Sequence, residues 1–231
     1  MRVRRHGAIG GVARQLVVAN HVSWLDIPVL ASLAPMSFLA KKEIGDNPVS
    51  RELVALQGVV YVDRGRRSCI PKVNARMVET MRGGSPVVLF AEATTGDGNR
   101  LMRFRSSHFE AIRQAAAQDD RGQAIIQPIY LDYSRLAGLP IARGERPRVA
   151  WYGDITFFDH FFRYIRGGGV TCDVYCGTPI PVGQGLDRKT AARLTEAAVR
   201  ELAVRARASR ARPILPGPES AYIGLRPCWS P

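Results

Sequence analysis

Short runs of apolar, largely β-branched residues recur along the chain: "QLVVA" (15–19), "MSFLA" (36–40), "GVVYVD" (58–63), "PVVLFA" (86–91), "AIIQPIYL" (124–131), "RVAWYG" (148–153) and "VTCDVYC" (170–176). Each has the length and composition of a strand. Helical patterns separate most of them, over 24–33, 48–57, 71–82, 105–117, 156–166 and 188–208. Strands alternating with helices predict an α/β fold: a single domain with a mixed, mostly parallel sheet flanked by helices. Runs such as "PVVLF" are apolar at every position, as in strands covered on both faces. The folded domain is expected over 15–210, after a basic N-terminal segment 1–14 and before an irregular tail 211–231 rich in proline and glycine.

Charge narrows the partners. The 231 residues carry 33 basic and 20 acidic side chains, a net charge of +13. That excess predicts attraction to polyanions: nucleic acid, an anionic membrane surface, or acidic substrates and carriers. Nucleic acid is set aside, because no helix-turn-helix, zinc-finger or RNA-binding signature is present and the aromatics do not interleave with the basic residues. No run approaches the ~18 apolar residues of a membrane span. The N-terminus "MRVRRHGAIGG" lacks the apolar centre of a signal peptide. The expectation is a cytoplasmic protein, peripheral to the inner face of the cell membrane, with no transmembrane span. Cys172 and Cys176 fall on one face of a strand about 13 Å apart, too far for a disulfide. No second Cys or His pair completes a zinc site, so no metal is expected.

The candidate chemistry lies in "VVANHVSWLDIPVL" (17–30), where His21 precedes Asp26 by five positions at a predicted helix start. Ser23 and Asp26 have the spacing of a capping box. The same geometry lets the His21 ring fold back from the loop onto the first turn and meet Asp26. A carboxylate on one imidazole nitrogen fixes the tautomer and leaves the other nitrogen as a base. Cap and acid–base pair are compatible. No G-x-S-x-G elbow is present, which argues against a serine hydrolase.

Three more stretches follow in order: "YVDR" (61–64), "FAEATTGDGNRLMRFRSS" (90–107) and "QPIYL" (127–131). With "NHVSWLD" they resemble the four blocks of the glycerolipid acyltransferases, the family of 1-acyl-glycerol-3-phosphate acyltransferases, over about residues 15–181. "NHVSWLD" matches the N-H-x-x-x-x-D block and "FAEATT" resembles the F-P-E-G-T block, with Ala91 and Ala93 where the family usually has proline and glycine. The "FAEATTGDGNR…FRSS" version is similar to lyso-ornithine lipid acyltransferases, a branch of the same family.

The resemblance implies a glycerol-3-phosphate acyltransferase-like fold and an O-acyltransferase. Such an enzyme moves a fatty acyl group from acyl-CoA or an acyl carrier protein thioester to a lyso-lipid hydroxyl. The implied acceptor is 1-acyl-glycerol-3-phosphate, in phospholipid synthesis, with lyso-ornithine lipid as the alternative; no cofactor is needed. His21 would be the base and Asp26 its orienting partner. Arg64 would anchor an acceptor phosphate or carboxylate, and Glu92, Thr94 and Thr95 would contact the head group or hold its loop. Read from position and charge, one of Lys41 and Lys42 would face the acceptor or the donor's phosphate, with solvated surface charge as the alternative, and Arg100, Arg103 and Arg105 make a local positive field that fits an anionic head group. His108 and His160 read as structural.

Family members commonly carry an apolar helical region before the histidine block; here twenty residues precede His21, and lipid contact is expected elsewhere. "TFFDHFFRYIR" (156–166), capped by Thr156 and Asp159, is the candidate: a membrane-surface helix or a helix packed on the sheet. "RARASRAR" (205–212) would add electrostatic adhesion.

Overall fold

A computed structural model, which describes residues 1–11, 14–41, 60–62, 67–118, 124–183 and 185–210, arranges all but one of the apolar runs in one nine-stranded sheet. In chain order the strands are β1 (Arg2–His6), β2 (Arg14–Ala19), β3 (Ser37–Lys41), β4 (Val60–Val62), β5 (Val87–Phe90), β6 (Ala124–Leu136), β7 (Leu139–Pro140), β8 (Val170–Cys176) and β9 (Ile180–Pro181). The described helices are α1 (Asp26–Ala31), α2 (Ile70–Arg82), α3 (Phe109–Ala117), α4 (Phe157–Arg166) and α5 (Arg188–Arg210).

The strand order is β1-β8-β6-β2-β5-β3-β4, with β7 and β9 pairing to β6. All neighbours are parallel except those that join β6 to β7, β8 and β9, so the sheet is mixed and mostly parallel, as expected. Residues 2–6, assigned by sequence to a basic N-terminal segment, form the edge strand on β8, in register from Arg2 with Thr171 to His6 with Tyr175. The alternation of "RVRRH" buries Val3 alone. The predicted helix 48–57, the tail 211–231, Lys42, Arg64 and Cys228 lie outside the described residues.

Both sheet faces are covered. Leu16, Val18, Val87, Leu89 and Ile126 meet α2, α3 and α5 through Met77, Met81, Phe109, Ile112 and Val199. Val17, Ala19, Val88, Phe90, Ile129 and Leu131 face the other way, against Leu25, Val29 and Leu30 around α1. Period-two alternation within an all-apolar run fills both layers at once.

Two departures from expectation have local causes. The run 148–153 is not a strand: residues Arg143–Arg148 form a 3₁₀ turn containing Pro147. The N–H groups of Val149 and Ala150 close back on the Arg146 carbonyl, and Val149 O accepts from His160 Nε2. Its backbone is thus satisfied without a partner strand. Conversely, β6 runs straight through Pro128, a residue usually kept from central strands. The Pro128 carbonyl accepts from Gly177 N and so faces the gap where β6 changes partner from β9 to β8. Its missing N–H faces the same gap, and no ladder bond is lost. The cysteines follow expectation: Cys69, Cys172 and Cys176 are free thiols, with Cys172 buried.

Candidate active site

Parallel pairing places the carboxyl ends of β2, β5, β3 and β4 along one edge of the sheet. Ala19 pairs with Phe90, so His21, two residues past β2, and Glu92, two residues past β5, leave from adjacent points. Lys41 closes β3 opposite Val62, the last residue of β4 and two before Arg64. The crevice beyond strand ends is where open α/β sheets carry their sites. One topological rule thus gathers motifs separated by some seventy residues of sequence.

His21 lies in the loop between β2 and α1. Asn20 fixes the loop's start: its side-chain amide donates to Leu131 O at 3.1 Å and accepts from Leu131 N at 2.7 Å. The amide thereby extends the β2–β6 ladder by one side chain. The His21 ring stacks on Phe90, centroids 4.1 Å apart and 11° from parallel. Its Nδ1 lies 2.7 Å from Asp26 Oδ2. Asp26 is fully buried, and the same Oδ2 accepts from the N–H groups of Val22 at 2.7 Å and Ser23 at 3.0 Å.

The cap and the acid–base geometry therefore coexist, with one correction. The helix starts at Asp26 with no side-chain cap on its first turn, and Ser23 Oγ is 3.4 Å from Leu25 N rather than bonding to Asp26 N. Only the carboxylate half of the capping box forms. A carboxylate that accepts from His21 puts the proton on Nδ1 and leaves Nε2 as the base; Nε2 has no hydrogen-bond partner among the described residues. The side chain is 18 % exposed, enough to meet a substrate.

A fourth donor to Asp26 comes from a position with no local signal. Tyr133, deep in β6, gives its hydroxyl proton to Asp26 Oδ1 at 2.6 Å. Burial first, then the Asp26 charge, pushes the Tyr133 phenol well above its ordinary value, so it stays a donor. Trp24 was likewise missed: its Nε1 donates to His160 Nδ1 at 2.9 Å, and its ring packs against Phe157, Phe161 and Tyr164 of α4. His160 is held neutral by burial and donates through Nε2 to Val149 O, a structural role as expected. His108 bonds to Asn74 Oδ1, also a structural contact.

Glu92 is buried beside this loop, and its Oε1 has no hydrogen-bond partner among the described residues. Burial pushes its carboxyl up to about 8; nearby N–H groups of Met102 and His21 pull it back, and Asp26 adds to the rise. At neutral pH it is therefore protonated, a donor as well as an acceptor. The turn that follows abuts His21 directly, Gly96 N donating to His21 O at 2.9 Å. Ala93 adopts φ +64°, the left-handed conformation that glycine takes without strain. Thr94 is exposed and Thr95 half-buried on this turn; Arg100, Arg103 and Arg105 are exposed further along the same segment.

α5 clamps that segment. Glu196 Oε2 accepts from Phe104 N at 2.9 Å, and Arg200 and Arg207 donate to the carbonyls of Leu101 and Asn99. Of the "RARASRAR" arginines, Arg205 pairs with Glu201 and Arg210 with the buried Asp132. Arg205 and Arg207 are exposed as well as bonded within the protein, and Arg210 is partly buried. The structure thus gathers His21, Asp26 and Glu92, brings the turn with Thr94 and Thr95 against them, and places the backbone of Lys41 on the same edge.

Residues 3–132 match a family model described as Acyltransferase. The chain is 35 % identical over 195 residues to the lyso-ornithine lipid O-acyltransferase of Brucella abortus strain 2308, covering 84 % of this chain and 73 % of that one. It is 36 % identical over 194 residues to the enzyme of that name from Rhizobium meliloti, covering 84 % and 66 %. The 1-acyl-sn-glycerol-3-phosphate acyltransferase of Neisseria gonorrhoeae is 36 % identical over 134 residues, 54 % of this chain and 51 % of that one. The crystal structure of the 1-acyl-sn-glycerophosphate acyltransferase PlsC from Thermotoga maritima aligns with a TM-score of 0.58 over 92 % of this chain and 73 % of that chain; at 16 % sequence identity this likeness concerns the fold.

Proposed function

The chain belongs to the acyltransferase family, and on that premise we propose that it transfers a fatty acyl group from a thioester to the free hydroxyl of a lyso-lipid, with His21 as the base. The observation that carries this reading is the 2.7 Å His21–Asp26 contact, which leaves Nε2 without a hydrogen-bond partner among the described residues, in a loop whose His21 N–H lies close to the buried Glu92 carboxyl.

The acceptor hydroxyl gives its proton to His21 Nε2 as its oxygen attacks the thioester carbonyl. The tetrahedral intermediate collapses with cleavage of the C–S bond, and the imidazolium returns the proton to the departing thiolate. Asp26 stabilises the imidazolium, and its four donors hold the carboxylate in place. Base assistance of this kind contributes on the order of 10²–10⁴ in rate. Glu92, protonated, can donate to an acceptor head group. Arg64, which the resemblance assigns to an anionic acceptor group, and the basic residues Lys41, Lys42, Arg100, Arg103 and Arg105 complete the substrate-binding set.

The acceptor we favour is a lyso-ornithine lipid, because the relatives of that name align over 84 % of the chain. The second reading, 1-acyl-glycerol-3-phosphate, is favoured by the 36 % identity over the shorter span. The donor is acyl-CoA or an acyl carrier protein, either of which suits the +13 charge. Mass spectrometry of products from a panel of lyso-lipids, offered with each donor, tests all three assignments. A lyso-lipid gaining one acyl chain is the expected result; thioester hydrolysis without acceptor acylation would refute the reading.

A further inference from the structure

Helix α4 has two faces, and only one is explained by packing. Phe157, Phe161 and Tyr164 pack on Trp24, with edge and tilted ring contacts at 5.4–5.9 Å. Phe158, Phe162 and Ile165 follow at i, i+4 and i+7 on the other side and stand 45 %, 52 % and 59 % exposed. A stripe of large apolar side chains in water points to an occupant.

Beside the stripe is an open groove of about 720 Å³, lined by Arg148, Arg163 and Arg166 with Ile155, Phe162 and Asp159. Asp159 is engaged by the Thr156 hydroxyl in the helix cap, and Arg148 lies 3.6 Å from Glu145. Arg163 and Arg166 have no ion-pair partner among the described residues. Apolar rings and unpaired guanidinium groups therefore share one surface, which is the chemistry of the boundary between acyl chains and anionic head groups.

We propose that the outer face of α4 docks on an anionic phospholipid bilayer, with Phe158, Phe162 and Ile165 entering the acyl boundary and the Arg148–Arg163–Arg166 groove holding a lipid phosphate. The inner face transmits the consequence. Trp24 belongs to the loop that carries His21, and Trp151, which packs on Phe157, donates its backbone N–H to Val22 O at 2.9 Å. A bilayer on α4 lies about one helix diameter, roughly 10 Å, from that loop. The purpose of the contact rests on the lyso-lipid reading above, but the contact itself is measurable without turnover.

The test is flotation of the full chain with phosphatidylcholine vesicles, with and without phosphatidylglycerol. Phe158→Ser with Phe162→Ser, and Arg163→Gln with Arg166→Gln, alter only exposed side chains and should leave the melting temperature unchanged. The native chain is expected to prefer the anionic vesicles. At about five-fold per basic residue, the arginine variant should bind them roughly thirty-fold more weakly and lose the preference. The phenylalanine variant should lose binding to both vesicles. Undiminished flotation of either variant overturns the proposal. So does a homodimer that the phenylalanine variant dissolves while vesicle binding persists, which would assign the face to a second copy. Acylation of a short-chain, monomeric acceptor should be the same for all three proteins, so failure of the docking proposal and failure of the reaction are read separately.

Discussion

Tyr133 donates a hydrogen bond of 2.6 Å to Asp26 Oδ1 across 107 positions of sequence, in a fully buried setting. Asp26 Oδ2 is occupied by His21, Val22 and Ser23, and among the described residues Tyr133 alone donates to Oδ1. It is a positioning residue: it acts on the imidazole through the carboxylate. Tyr133→Phe removes one oxygen and leaves the ring in place. Leaving that carboxylate oxygen buried without a donor should cost about 1–3 kcal/mol of stability. The kcat should fall about ten-fold, equivalent to ~1.4 kcal/mol, with KM unchanged. A rise in KM at constant kcat would contradict the positioning role.

Glu92 should weaken the fold as pH rises. Its carboxyl titrates near 4.5 when exposed and at about 8 when folded, burial being the main cause. Between those values the folded state binds the extra proton, so stability falls with increasing pH and the penalty is complete above 8. Glu92→Gln removes an effect on the order of a few kcal/mol. Unfolding free energies of the two proteins should agree below pH 4.5 and diverge in favour of the variant above pH 8. Acyl transfer should be largely retained by the variant, whose amide also donates a hydrogen bond, and impaired in Glu92→Ala.

Ala93 pays a conformational cost where glycine would not. The left-handed region costs a non-glycine residue about 1–2 kcal/mol, against ~0.5–1 kcal/mol of chain entropy that glycine loses on folding. Ala93→Gly should therefore raise the unfolding free energy by up to about 1 kcal/mol, measured by urea denaturation. Ala93→Val should lower it.

Asn20 substitutes for a strand residue. Asn20→Ala leaves the N–H and C=O of Leu131 without their partners, a loss of about 2–6 kcal/mol at ~1–3 kcal/mol per buried group. Because Asn20 sets where the loop leaves β2, acyl transfer should fall as well. Denaturation with an unchanged slope, together with initial rates, checks both.

How much of this was readable depends on the range of the interactions. His21 and Asp26 are five residues apart, and helix-start geometry constrains that spacing, so the pair could be inferred locally. The apolar strands β2 and β5 were legible because burial on both faces demands apolar residues at nearly every position, and β8 because its residues alternate. Tyr133 could not be read, because its meaning depends on the β2–β6 register, set far away in the chain. β1 was hidden for a related reason: an edge strand needs only Val3 buried, and "RVRRH" looks like a charged terminus. Over 148–153 the composition misled, because Val149 and Ala150 are buried by packing under His160 rather than by strand pairing. The partners of Arg207 and Arg210, Asn99 and Asp132, could not be read either, because they lie on other elements.

The central claim is that His21 Nε2 removes the acceptor's proton. The direct measurement is the initial rate of thioester-dependent lyso-lipid acylation by His21→Ala, with its unfolding transition recorded alongside. The account predicts a rate at least ~10²-fold below that of the native chain, with the transition retained. A folded His21→Ala protein that acylates at the native rate would contradict it.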